Sequence, residues 1–107
     1  MKKILFNGAA TALVTPFNEN GSIDFDSFGR IIEMQIDGGI DAVVVCGTTG
    51  EGSTLSDNEH KDLIRFCVKK VAARVPVIAG TGSNDTNYGI QLSKFAESEG
   101  VDGLLVI

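Results

Sequence analysis

The stretch GGIDAVVV, residues 38–45, returns as EGVDGLLV at residues 99–106: glycine, an apolar residue, aspartate, a small residue, then an apolar run ending in valine. Glycine commonly closes a helix, because its backbone enters the left-handed region without steric cost. The aspartate turns the chain, and an apolar run without alternation reads as a strand covered on both faces, as in a parallel sheet. Each copy is therefore a helix end handing over to a buried strand. The two strands are DAVVVCG (41–47) and DGLLVI (102–107), and two further runs join them: VPVIAGTG (75–82) and AATALVTPF (9–17), which Pro16 ends.

Three segments with helical spacing lie between these strands. Phe28, Ile31, Ile32, Gln35 and Ile36 make one stripe, closed by Gly38-Gly39. Ser56 and Glu59 have the spacing of a capping box, ahead of a buried face of Leu63, Ile64, Cys67, Val68 and Val71. The third helix starts near Asn84-Asp85-Thr86, carries Ile90, Leu92, Phe95 and Ala96, and ends at Gly100. The order β-α-β-α-β-α-β with right-handed crossovers gives an α/β protein, either a doubly wound sheet or part of a (β/α)8 TIM barrel. The repetition favours the barrel. Such a barrel takes about 250 residues, and Ile107 falls inside an apolar strand. Residues 1–107 are thus expected to be the N-terminal part of a single barrel domain, cut within the fourth strand.

The net charge of −5 and pI near 4.6 argue against nucleic acid as a partner, since a binder would show a basic face. No apolar run approaches the ~20 residues of a membrane span. Met1-Lys2-Lys3 before ILFNGAATALV resembles the start of a secretory leader, but Asn7 and Gly8 interrupt the run and no convincing cleavage site follows. Cys46 and Cys67 belong to neither a CxxC pair nor a His-rich cluster, so buried, reduced thiols in a cytoplasmic protein are expected.

In α/β architectures the chemistry collects at the carboxyl ends of the strands. Here those ends are Thr15-Pro16, Gly47-Thr48-Thr49-Gly50-Glu51 and Gly80-Thr81-Gly82-Ser83-Asn84. The second is the most unusual. Its glycines let backbone approach a ligand closely, and free amides beside the next helix favour an anion. Two adjacent hydroxyls there can bind a carboxylate and pass a proton. They can equally be capping groups of a tight turn. GTTGEGST lacks the Gly-Lys-Ser/Thr of a phosphate loop, and GTGSND has Asp85 where a dinucleotide fingerprint has its third glycine.

The segment GTTGEGSTLSDNE (47–59) resembles the signature of the dihydrodipicolinate synthase family, within the pyruvate-dependent class I aldolases, with Glu59 at its expected place. ALVTPF (12–17) and VPVIAGTGSN (75–84) are similar to the family's first and third strand regions, so the resemblance covers the chain. Related lyases for sialic acid and 2-keto-3-deoxy sugar acids share the fold, but usually vary the threonine pair or lack the AGTGSN run. The resemblance implies that pyruvate forms a lysine imine, becomes an enamine and attacks aspartate semialdehyde, feeding lysine and diaminopimelate synthesis without a cofactor. It implies Thr49 as the holder of the pyruvate carboxylate and Thr48 as a proton relay between two tyrosines. It also implies a homo-oligomer, a tetramer of dimers.

The chain departs from the family pattern by stopping. The family's imine lysine lies on the sixth strand and its relay tyrosines follow the fourth. Lys61, Lys69, Lys70 and Lys94 fall on helices, Tyr88 lies within the third helix, and His60 is expected at a helix surface. In lysine-inhibited members an acidic residue meets the effector's ammonium group. That position matches Tyr88, and a histidine position matches Asp57, while Asn84 and His60 are retained as remnants of the effector site. The 107 residues alone are expected to be inactive, and a non-catalytic α/β fragment is the competing reading.

Overall fold

A computed structural model of the chain describes residues 3–107. Met1 and Lys2, which open the leader-like stretch, lie outside the described residues. Strands β1 (Ala10–Ala12), β2 (Ala42–Val45), β3 (Val77–Gly80) and β4 (Gly103–Leu105) alternate with helices α1 (Phe25–Asp37), α2 (Asp57–Val71) and α3 (Thr86–Glu99). All strand pairs are parallel, with Ala10 opposite Ala42, Val43 opposite Val77 and Ile78 opposite Gly103. The spatial order is β1-β2-β3-β4. A doubly wound sheet reverses its strand order at a switch point; this sheet does not. Right-handed crossovers between sequential strands put the three helices on one face, where α2 packs against both α1 and α3.

The repeated aspartates do the same work twice. Asp41, just before β2, accepts from the Ala9 amide at 2.9 Å while its own amide donates to the Ala9 carbonyl at 3.1 Å. Asp102, just before β4, accepts from the Val77 amide at 2.9 Å and donates to the Val77 carbonyl at 2.8 Å. Each aspartate thus clasps the start of the neighbouring strand and sets its register. Gly8, at φ 119°, leaves the space that the Asp41 carboxylate fills.

The helices begin on side-chain caps that occupy orphan amides. Asp24 accepts from the Ser27 amide at 3.0 Å and its hydroxyl at 2.6 Å, and these bonds hold its carboxyl below the usual range. The capping box is present: Glu59 N donates to Ser56 Oγ at 3.2 Å and Ser56 N to Glu59 Oε1 at 2.8 Å. Asp85 caps α3, and Gly100 closes it at φ 95°.

Phe28 and Ile32 of α1, Leu63, Ile64, Cys67 and Val71 of α2, and Leu92 and Ala96 of α3 pack on Leu13, Val43, Val45, Val77 and Ala79. Ile90, expected on the inner stripe of α3, is 45% exposed. It lies two residues from Leu92, about 200° around the helix, and so faces outward. The first strand is also shorter than residues 9–17. The ladder ends with Leu13 N donating to the Val44 carbonyl at 2.9 Å, after which Phe17 bridges back to Ile23 in antiparallel sense. In β2 and β3 the helix-facing Val43, Val45, Val77 and Ala79 are buried while Val44 and Ile78 on the other face are half-buried, and β4 leaves Leu104 and Leu105 exposed, so the expected cover on both faces is incomplete.

Candidate functional site

The carboxyl ends of β2, β3 and β4 surround a cavity of about 320 Å³. The turn after β2 begins at Cys46, a non-glycine residue in the left-handed region at φ 58°. Its carbonyl oxygen lies against the α-carbons of Gly52 and Gly80, and a Cβ at either would collide with it. The turn is closed by its own backbone: Glu51 N donates to the Thr48 carbonyl at 3.0 Å and Gly52 N to the Gly47 carbonyl at 3.1 Å. Thr15, at the end of the first strand segment, donates its hydroxyl to the Gly50 carbonyl at 2.7 Å.

Thr48 and Thr49 are therefore not the capping groups of this turn. Both are exposed, and among the described residues neither hydroxyl has a protein hydrogen-bond partner. Thr48 lines the cavity together with Ser53, His60, Asn84 and Tyr88 and the backbone of Gly47, Gly80 and Gly82. Thr49 follows it on the turn, outside that lining.

His60 is a correction to the sequence expectation. Instead of lying at a helix surface it is 4% exposed, with Nε2 2.7 Å from the Gly80 carbonyl. The signal was present: His60 stands three and four residues before Leu63 and Ile64, on the buried stripe of α2. A polar side chain on that stripe needs an internal partner, and the end of β3 supplies one.

Tyr88 and Asp57, the two positions that depart from the effector pattern, are bonded to each other. The Tyr88 hydroxyl donates to Asp57 Oδ1 at 3.0 Å, and Lys61 Nζ pairs with Asp57 Oδ2 at 3.0 Å. The Lys61 bond and then the Tyr88 bond hold the Asp57 carboxyl below its usual range. Burial, then the bond to Asp57, raises the Tyr88 phenol.

Burial also raises both thiols, Cys67 to about 12. They stay protonated at neutral pH, which removes them as nucleophiles. Lys61, Lys69 and Lys70 lie on α2 and Lys94 on α3, away from the cavity lining. Among the described residues no helix is long and apolar enough to cross a membrane.

The family model described as the dihydrodipicolinate synthetase family matches residues 5–107. The chain is 54% identical over 107 residues to a 4-hydroxy-tetrahydrodipicolinate synthase of Acetivibrio thermocellus, covering all of this chain and 36% of that protein. It superposes with a TM-score of 0.90 at 40% identity on the chloride-inhibited dihydrodipicolinate synthase of Acinetobacter baumannii complexed with pyruvate, covering 92% of this chain and 34% of the other. A monomeric dihydrodipicolinate synthase variant matches equally well, with a TM-score of 0.90 at 40% identity over 95% of this chain and 34% of its own. The chain spans about a third of the length of the relatives it matches.

Proposed function

The chain belongs to the dihydrodipicolinate synthetase family, and from that premise we propose that it supplies the threonine turn of a 4-hydroxy-tetrahydrodipicolinate synthase. Its strands and helices form a β-α-β-α-β-α-β portion of that family's (β/α)8 barrel. Pyruvate condenses with a lysine outside residues 1–107, releasing water and forming an imine. Loss of a methyl proton gives the enamine, which attacks the aldehyde carbon of aspartate semialdehyde; cyclisation follows. Thr49 holds the pyruvate carboxylate through its hydroxyl and amide, and Thr48 relays protons. No cofactor is required. The protein works as a cytoplasmic homo-oligomer, a homotetramer built of tight dimers.

One observation carries this reading: two adjacent hydroxyls at a strand end are left unused by the turn that presents them. Both hydroxyls are exposed, so they are free to bind a ligand or to pass a proton. Asn84 and His60 are the remnants of an effector site in the same cavity, with Tyr88 at the place of its acidic residue and Asp57, bonded to it, at that of a histidine. Loss of a charge-assisted contact weakens binding by about ten- to a hundredfold.

The test is an assay of the full-length protein with pyruvate and aspartate semialdehyde, with and without added lysine. Turnover with weak lysine inhibition is expected. Cleavage of sialic acid or of a 2-keto-3-deoxy sugar acid instead would transfer the chain to a related lyase. Tight inhibition by lysine would show that the effector site is intact despite Tyr88.

A further inference from the structure

His60 joins three segments: the start of α2, the end of β2 and the end of β3. Its amide closes the first turn of α2 on the Ser56 carbonyl at 2.9 Å, and the Cys46 thiol faces its carbonyl at 3.8 Å. Its ring reaches β3, where Nε2 lies 2.7 Å from the Gly80 carbonyl oxygen. A carbonyl can only accept, so Nε2 carries the proton. The Gly80 α-carbon is pressed against the carbonyl oxygen of Cys46, leaving no room for a Cβ. Cys46 holds a left-handed backbone at φ 58°, a conformation that persists only where the surroundings enforce it. The Thr48–Thr49 turn departs from that residue.

We infer that His60 is a positioning residue for the Thr48–Thr49 turn: its Nε2–H fixes the Gly80 carbonyl, and the Gly80 α-carbon seats the Cys46 carbonyl from which the turn leaves. The kinetic consequence rests on the pyruvate mechanism proposed above; the structural consequence does not. Without the donor, the Gly80 carbonyl is buried and unpaired, which favours any movement that finds it a partner. That movement displaces the seat of Cys46. A displacement of about 1 Å at a substrate-positioning group costs up to about a hundredfold in rate.

The experiment compares His60→Leu, which has no donor, with His60→Gln, whose terminal amide can donate, in the full-length protein. At a temperature where both are folded, His60→Leu is expected to lower kcat/KM for pyruvate by about ten- to a hundredfold, and His60→Gln to restore most of it. Amide hydrogen exchange across residues 47–52 is expected to quicken in His60→Leu alone, a readout that needs no turnover. Wild-type kinetics and exchange in a folded His60→Leu protein would overturn the inference. So would a folded His60→Gln protein whose turn exchanges faster than wild type, and that variant decides the matter if His60→Leu does not fold. If the unsubstituted protein turns over no pyruvate, the pyruvate mechanism fails, while exchange across the turn still decides the role of His60.

Discussion

Thr48 and Thr49 differ in what each can touch, although both are exposed on one turn. Thr48 looks into the cavity and Thr49 stands beside it. Valine in place of either keeps the shape and removes the hydroxyl, so kinetics can separate their roles. Thr49→Val is expected to raise the KM for pyruvate with a smaller effect on kcat, because carboxylate binding acts in ground and transition states alike. One hydrogen bond to a charged group corresponds to about 1.5–3 kcal/mol. Thr48→Val is expected to reduce kcat by about 10²–10⁴-fold, the range of general acid–base transfer. Equal losses of thermal stability with near-normal kinetics would mean that both threonines serve only the turn. The position of this pair was legible in the sequence, because glycines on either side of a polar pair at the end of an apolar run mark a strand end. The burial of His60 was legible only in its spacing from Leu63 and Ile64. Its partner was not, since a backbone carbonyl at the end of β3 carries no residue-type signal.

Helices announce themselves through their caps, and here the capping box at Ser56 and the glycine at the end of α3 lie where their spacing placed them. Strand limits are weaker signals. The apolar run from Ala9 to Phe17 continues past the point where the chain leaves the ladder, because it must bridge Phe17 to Ile23 before α1 begins. Contacts between helices are less legible still. The tie between α2 and α3 runs from Tyr88 to Asp57, two residues 31 positions apart in the sequence. It has a measurable pH signature. Because the Asp57 carboxyl is lowered in the folded protein, first by Lys61 and then by Tyr88, its contribution to stability is complete above the unfolded-state value. That contribution is lost as pH falls through the lower, folded value. Tyr88→Phe is expected to move the Asp57 carboxyl back toward its ordinary value, so that the acid loss begins and ends within a narrower interval. Carboxyl NMR titration of the two proteins reads this directly; an unchanged Asp57 titration would show that Lys61 alone sets it.

Across the whole molecule, strand order was the feature that sequence pattern alone left between two architectures. Both a doubly wound sheet and a barrel can use the repeated Gly-apolar-Asp-small pattern; only the unreversed order β1-β2-β3-β4 separates them. The paired clasps of Asp41 and Asp102 explain why that pattern recurs, as each fixes a strand against its neighbour. The same architecture places every lysine of α2 and α3 on a helix rather than at a strand end. An imine-forming lysine needs desolvation or a neighbouring cation, and these helix lysines lie away from the cavity lining. The central claim, a pyruvate imine served by the Thr48–Thr49 turn, is tested most directly by trapping that imine. Full-length protein is incubated with pyruvate, reduced with borohydride and mapped by peptide mass. One pyruvate-derived adduct per chain is expected, on a lysine outside residues 1–107, with none on Lys61, Lys69, Lys70 or Lys94. An adduct on one of those four, or pyruvate turnover with no trapped adduct at all, would contradict the account.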